Sequence, residues 1–231
     1  MIFQQKSQLF GLLLVIAVGS LLLPGCRQGS HSSSDDAHVR LINAVPDSGA
    51  LTVSIDGQQV WRQAGFRSNT GYQGISAGTY SIQVASETNG AMLTNRPIAF
   101  EKGHAYTVLA WGLTRNPVTP AQVQALPDDL PNGAIGEKAG LRLINAAPGV
   151  GPVNLVVNNI VGLEAVKYGR RSSVLLLDSG EYDLKIAAAN TPDALAGPIH
   201  LNLEAGHVYT LVAMGQSSES SLTLEAYPDA R

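Results

Sequence analysis

The sequence predicts an all-β protein built of two tandem β-sandwich domains of the immunoglobulin-like or Greek-key kind. Three observations support this: short apolar runs alternate with turn residues, helical apolar stripes are missing, and one long pattern occurs twice. The 231 residues include 24 Gly and 12 Pro, which favour many turns between short strands. With 45% apolar and only 14% charged residues, the composition excludes a highly charged disordered chain.

The first 25 residues have the pattern of an export signal. Lys6 precedes an apolar run from Leu9 to Leu23, which is shorter than the roughly 20 residues that a spanning helix needs. The run ends in LPGC, which resembles the bacterial lipobox, where signal peptidase cuts before a diacylglyceryl-modified Cys. We therefore expect residues 1–25 to be a lipoprotein signal peptide and Cys26, the only cysteine, to be lipidated. The alternative is an ordinary signal peptide followed by a chance cysteine.

Residues 26–38 are predicted to form a flexible tether, because they contain almost no apolar side chain and no periodicity. Acyl chains such as palmitate would hold the protein on membrane lipid at about 0.8 kcal/mol per buried CH₂. The expected location is the cell envelope. In a Gram-negative source, resemblance to sorted lipoproteins implies the outer membrane, because Arg27 and not Asp follows Cys26. The formal charge is −3, so the chain lacks the excess of positive charge typical of proteins that bind nucleic acids, and a nucleic-acid partner is not expected.

An internal duplication organises the rest of the chain. The matched strings are VRLINAVP (39–46) with LRLINAAP (141–148), AGTYSIQV (77–84) with SGEYDLKI (179–186), and EKGHAYTVLAWG (101–112) with EAGHVYTLVAMG (204–215). We assign the first repeat to residues 39–128, a Pro- and Gly-containing linker to 129–140, and the second repeat to 141–231. Because every matched string falls within one copy, each repeat is expected to fold by itself.

Each copy contains about seven predicted strands and two characteristic turns. Asp56-Gly57 follows the alternating run LTVSI and predicts a two-residue type I′ hairpin, whose central residues both need positive φ. Asn158-Asn159 takes its place in the second copy. GTY at Tyr80 and GEY at Tyr182 each open a strand after a tight turn and are similar to the tyrosine corner of Greek-key sandwiches.

These strings resemble a bacterial family called domain of unknown function 4397. The shared features are an Arg-x-x-Asn-Ala-x-Pro opening, the Asp-Gly hairpin, Gly-x-Tyr, and Ala-Gly-x-x-Tyr-Thr before the penultimate strand. The resemblance extends from Val39 to about Asp229, with Lys102 in place of the Ala that the second copy has at Ala205. It implies a cell-envelope β-domain and no reaction.

A serine hydrolase is the rival function. Gly74-Ile75-Ser76-Ala77-Gly78 matches the GxSxG nucleophile elbow, and Glu87 and His104 follow in the order of an α/β-hydrolase. The elbow needs a helix after the serine, whereas Ser76 leads into a β-pattern and the second copy has Asp178 at its position. The sequence therefore favours a turn serine, and we assign no catalytic residue.

Conserved polar residues of the two copies indicate neither a metal nor a cofactor. His104 and His207 are equivalent, but no second ligand is spaced with either of them, so both are interpreted as structural. Arg40 and Arg142 are the charges retained in otherwise apolar strands. Each is expected to pair with a carboxylate, for which Glu101 and Glu204 are the candidates.

The sequence favours a membrane-anchored, non-enzymatic envelope lipoprotein that displays a binding or structural surface to an unknown envelope protein or glycan. A carbohydrate-binding module is an alternative, although only 6% of the residues are aromatic.

The copies diverge most at residues 58–73 and 160–175, so a copy-specific binding patch is predicted there. Its residues are Trp61, Arg62, Arg67 and Asn69, with Trp61 as stacking anchor. The alternative places Trp61 in the core, because it aligns with Leu163.

Overall fold

The computed structural model describes residues 36–128, 130, 135–191, 193–216 and 221–230. The predicted signal peptide, Cys26 and the tether as far as residue 35 lie outside this part of the chain. The described residues form β-strands and turns, and a helix long and apolar enough to cross a bilayer is not found among them.

Each repeat contains a matching series of strands. The first repeat consists of β1 (Asp36–Ala44), β2 (Leu51–Ile55), β3 (Gln58–Ala64), β4 (Gln73–Ser76), β5 (Gly78–Ser86), β6 (Met92–Phe100), β7 (Ala105–Trp111) and β8 (Gln122–Pro127). The second consists of β9 (Ala139–Asn145), β10 (Val153–Val157), β11 (Ile160–Val166), β12 (Arg170–Arg171), β13 (Leu175–Leu177), β14 (Gly180–Ala188), β15 (Ala194–Leu203), β16 (Val208–Met214) and β17 (Thr223–Pro228).

The strands of each repeat form two sheets. The first repeat has an inner sheet of order β4-β1-β7-β8 and an outer sheet of order β3-β2-β5-β6. The second has an inner sheet β12-β9-β16-β17, with β13 also paired to β9, and an outer sheet β11-β10-β14-β15. The central pairs β1/β7 and β9/β16 are parallel, while their neighbours are antiparallel. The prediction of an all-β fold with two tandem sandwiches is confirmed.

A separate hydrophobic core lies between the two sheets of each repeat. In the first repeat Leu51, Val53 and Ile55 alternate along β2 and pack with Ile82 and Val84 of the neighbouring β5. Leu155, Leu184 and their neighbours form the equivalent core of the second repeat. Burial of each such side chain contributes about 1.5–3 kcal/mol, so each sandwich has the apolar interior that an independent domain requires.

A third hydrophobic cluster joins the two repeats, because their inner sheets pack against each other. Its buried members are Ile42, Ala44, Leu109, Trp111, Ile144, Ala146, Val212, Met214 and Tyr227. All seven residues of β9 and all seven of β16 are buried, so these strands have a core on both faces. Strands buried on both faces appear in sequence as continuous apolar runs, which accounts for LRLIN and VYTLVAM.

The predicted turns are present. Asp56 and Gly57 have φ of 49° and 79°, and Asn158 and Asn159 have 47° and 67°, as a type I′ turn demands. The hydroxyl of Tyr80 donates to the carbonyl of Ser76 at 2.8 Å, and Tyr182 does the same to Asp178 at 3.0 Å. These are tyrosine corners. A Cβ at Gly78 would lie 3.3 Å from the Tyr80 ring, which explains the glycine of Gly-x-Tyr.

We expect fragments 38–129 and 138–231 each to fold alone and to associate when mixed. Each fragment keeps its own core, apart from Ala37 in the first, but separation exposes the apolar inner-sheet face that the other repeat covers. Thermal melting of each fragment, and size-exclusion chromatography of the mixture, provide the measurement. A fragment without a cooperative melt, or a mixture that stays monomeric, would contradict this expectation.

Candidate functional site

Buried charged residues lie at the junction of the two repeats. Arg40 on β1 extends across the interface, where its Nη2 donates to Asp229 Oδ1 at 2.5 Å and its Nη1 to the carbonyl of Pro228 at 2.7 Å. Its Nε donates to Thr107 Oγ1 within its own repeat at 2.8 Å. The Arg40 side chain is fully buried and that of Asp229 is 2% exposed. A first-repeat guanidinium is thus held by a second-repeat carboxylate.

Arg142, the equivalent of Arg40, binds the same carboxylate. Its Nε donates to Asp229 Oδ2 at 3.0 Å, its Nη2 also pairs with that oxygen, and Nη2 reaches the carbonyl of Asp128 in the first repeat. Thr210 Oγ1 adds a third donor to Asp229, at 2.7 Å. One carboxylate therefore accepts hydrogen bonds from two buried arginines and one hydroxyl, which is how buried charges are stabilised.

The predicted partners of these arginines are wrong. Glu101 and Glu204 are 76% and 64% exposed at turns, beside His104 and His207 respectively. Arg40 lies on the same face of β1 as Ile42, and that face packs against the other repeat and not on its own outer sheet. The carboxylate consequently comes from across the interface.

Asp128 occupies the position in the first repeat that Asp229 has in the second, but its surroundings differ. Its Oδ2 accepts hydrogen bonds from Thr107 Oγ1 at 2.7 Å and from Tyr72 Oη at 2.8 Å. Burial raises the pKa of the Asp128 carboxyl above its ordinary value, against the opposing effect of Arg40. The Tyr72 ring lies 4.6 Å from the Arg40 guanidinium carbon, and burial raises the pKa of its phenol.

A cavity of ≈ 630 Å³ opens beside this network and is lined by both repeats. Asp128 and Asp229 contribute to its wall together with His38 and His207. Groups of three or more His, Cys, Asp or Glu side chains arranged for a metal ion are not found in the described part of the chain. The equivalent histidines His104 and His207 belong to separate turns, and each lies near the glutamate three residues before it.

The structure does not build a nucleophile elbow at Ser76. Ser76 is exposed at the end of β4, and β5 begins two residues later at Gly78, so a strand and not a helix follows. Its Oγ donates to Asp36 Oδ1 at 3.3 Å. Glu87 accepts from Thr52 Oγ1 at 2.5 Å and from the N–H of Gln63, and these hydrogen bonds lower its pKa. Glu87 thereby supports the bulge between β2 and β3, where Gln63 has a φ of 54°.

The four residues of the predicted binding patch do not form one surface. Trp61 is only 6% exposed and belongs to the core of the first sandwich, so the stacking-anchor role is wrong and its alignment with Leu163 was the better guide. Arg62 is exposed on β3. Arg67 forms an ion pair of 2.5 Å with Glu225 of the other repeat, and Asn69 Oδ1 accepts the N–H of Gly71.

Three aromatic residues that no sequence motif marks as functional also contribute to the junction. Phe66 and Tyr168, the one aromatic position shared by the divergent stretches, pack against the interface cluster. Tyr227 donates from its hydroxyl to the carbonyl of Arg67 at 2.8 Å, again across the interface. An aromatic residue that both copies keep within an otherwise divergent stretch indicates that this position makes the same contact in each repeat.

Two sandwiches that share a buried ionic junction define a tandem-repeat β-domain protein. The model of the family described as Domain of unknown function (DUF4397) matches residues 37–137 and 139–231. The chain belongs to this family and contains two copies of its domain.

No curated protein matches the sequence. Among solved structures, it is similar to a family 26 carbohydrate-binding module from Eubacterium rectale in complex with maltoheptaose, at 11% identity and a TM-score of 0.27, over 85% of this chain and 98% of that one. Family 41 carbohydrate-binding modules from streptococcal virulence factors match at 11% identity and a TM-score of 0.27, over 81% and 96%. Scores of this size support no transfer of ligand or function.

Replacing Asp229 is expected to destabilise the protein far more than the same change at its counterpart. Asp229→Asn removes the negative charge opposite two buried arginines, which should cost about 3–5 kcal/mol. Asp128→Asn is the matched control: its side chain accepts from two hydroxyls, so we expect about 1 kcal/mol. Urea unfolding of both variants measures the difference. Equal losses would show that the arginines do not depend on Asp229.

Proposed function

We propose that this protein is a lipid-anchored component of the cell envelope whose two repeats form one rigid, non-enzymatic display module. The observation that best supports the rigid module is the junction, where Asp229 of the second repeat binds Arg40 of the first repeat as well as Arg142 of its own. Separating the repeats would take the carboxylate away from Arg40 and expose the apolar faces of both inner sheets. A body of this kind presents surfaces on the two repeats at a fixed spacing.

The anchor is inferred from sequence. Cys26 follows Leu23-Pro24-Gly25 at the end of the apolar run. Two or three acyl chains, palmitate among them, would hold the chain on membrane lipid. The predicted tether, residues 26–38, is shortened to 26–35 because β1 begins at Asp36, and it would allow the module to stand on the order of 20 Å from the bilayer. In a Gram-negative source the outer membrane is the expected destination, because Arg27 follows the lipidated residue.

Display at a fixed spacing suits a partner that is itself extended or fixed in the envelope. An envelope protein or a glycan fulfils this condition, and a glycan would make the protein a carbohydrate-binding surface module. Two rigidly linked binding surfaces raise the effective concentration of the second contact once the first has formed. A weak surface on each repeat can therefore give firm attachment.

The anchor has a direct test. We expect the intact mass of protein extracted from membranes to begin at Cys26 and to include acyl groups, and we expect Cys26→Ser to release the protein into the soluble fraction. Cys26 is the only cysteine, so labelling with a radioactive fatty acid needs no further variant for assignment. A mature form that starts elsewhere and retains a free thiol would contradict the proposal.

The absence of catalysis is tested with a fluorophosphonate probe on the full chain. Because Ser76 lies exposed between two strands and donates to Asp36, we expect no activity-dependent labelling. Ser76→Ala serves as the blank for non-specific reaction. Stoichiometric labelling of wild type that disappears in this variant would make the protein a serine hydrolase.

A further inference from the structure

The second repeat has a tight turn that brings two cationic side chains together. The turn of residues 167–170 leads from β11 into β12, and the N–H of Arg170 donates to the carbonyl of Lys167 at 3.0 Å. Gly169 has a φ of 70°, the positive value that the third residue of a type II turn requires. The first and last Cα atoms of such a turn lie within about 7 Å, so Lys167 and Arg170 extend from neighbouring points.

This turn is fixed to the body of the protein. Tyr168, its second residue, packs in the cluster between the repeats. The N–H of Gly169 donates to the carbonyl of Asn145 on β9 at 2.8 Å, and a Cβ at Gly169 would lie 3.4 Å from Trp111 Nε1. Ser172 Oγ accepts the N–H of Leu143 at 2.9 Å. The cations on the turn are therefore presented by a preorganised backbone.

The turn borders a surface cavity of ≈ 400 Å³ whose charged lining residues are mainly cationic. Lys167, Arg170 and Arg171 line it together with one carboxylate, that of Glu164. Lys167 and Arg170 are exposed, and in the described part of the chain neither makes an ion pair. This concentration of positive charge stands in a protein whose formal charge is −3.

Arg171 adds a third cation to the lining of the cavity. Its Nη1 donates to the carbonyl of Pro127 in the first repeat, which holds the side chain in place. Burial and then the like charge of Arg142 lower the pKa of Arg171 below its ordinary value, against the opposing effects of Asp128 and Asp229. An anion in the cavity would add to the charge that stabilises this guanidinium.

The first repeat shows that the fold does not require these cations. Its equivalent turn has the same hydrogen bond, from the N–H of Ser68 to the carbonyl of Gly65 at 3.0 Å, and the same inward aromatic in Phe66. The cations, however, are not shared. The first repeat has Gly65 at the position of Lys167, Ser68 at that of Arg170 and Asn69 at that of Arg171. The first-repeat turn has one cation, Arg67, and it is paired with Glu225. The cluster of three cations is therefore specific to the second copy.

We propose that the cavity bordered by Lys167, Arg170 and Arg171 binds a phosphoryl anion. Arginine forks match phosphate oxygens in pairs of hydrogen bonds, and lysine contributes a compact point charge. The phosphate group of a lipid headgroup and that of a soluble phosphate ester share this chemistry. The site is independent of acylation at Cys26 and goes beyond the display function.

The test uses the full chain in neutral-detergent micelles at constant ionic strength. Inorganic phosphate replaces chloride in one titration, and phosphatidylglycerol replaces detergent in a second, while NMR follows the amide signals of residues 167–173. The double variant K167Q/R170Q removes two cavity cations. The control R62Q/R115Q removes two exposed cations of the first repeat.

We expect saturable shifts in wild type and control, and an apparent affinity about 25-fold lower in K167Q/R170Q, at about fivefold per cation. An unchanged melting temperature of this variant would show that its fold is intact. A response to inorganic phosphate identifies a soluble phosphate ester, and a response to lipid alone identifies a headgroup. Shifts that do not saturate with either probe, or that weaken equally in R62Q/R115Q, would overturn the proposal.

Discussion

The junction of the two repeats depends on one carboxylate, Asp229, that is shared by two buried arginines. Taking three charges out of water costs several kcal/mol per ion, and their mutual attraction offsets this only when hydrogen bonds satisfy the remaining donors and acceptors. Carbonyl oxygens of Pro228 and Asp128 and the hydroxyls of Thr107 and Thr210 do so here. Such a network is satisfied in this arrangement of the repeats, so we expect it to fix the arrangement more than to add stability.

Duplication supplied two equivalent aspartates, and the interface placed them in different environments. Asp229 accepts from both arginines, whereas Asp128 accepts from the hydroxyls of Thr107 and Tyr72. Two arginines facing one shared carboxylate cannot keep exact twofold symmetry, so one aspartate is held as the counter-ion and the other by neutral donors. The divergent turns extend this asymmetry: Arg67 pairs with Glu225 in one copy, and Lys167 and Arg170 face solvent in the other.

The parts of the fold that were predicted correctly from sequence are those with local causes. The Asp56-Gly57 hairpin and the Tyr80 corner follow from positive φ and from a contact four residues back in the chain. The junction joins residues far apart in sequence, and local patterns do not encode which carboxylate reaches Arg40. The sequence indicates the junction only indirectly. Strands β9 and β16 are apolar without alternation, which indicates that both of their faces are buried. Trp61 is buried as its alignment with the apolar Leu163 indicates, and the general enrichment of Trp at interfaces does not hold at this position.

The parallel pairing at the centre of each inner sheet has a consequence for the order of folding. His38 at the start of β1 lies opposite Ala105 of β7, so this sheet cannot close until most of the repeat is available. The contact between Arg40 and Asp229 spans 189 residues and follows later still. Since non-local pairings slow folding through loop-closure entropy, the chain is expected to complete each sandwich first and to dock the two last. Until the repeats dock, the apolar faces of both inner sheets stay exposed and can bind chaperones or associate with other chains.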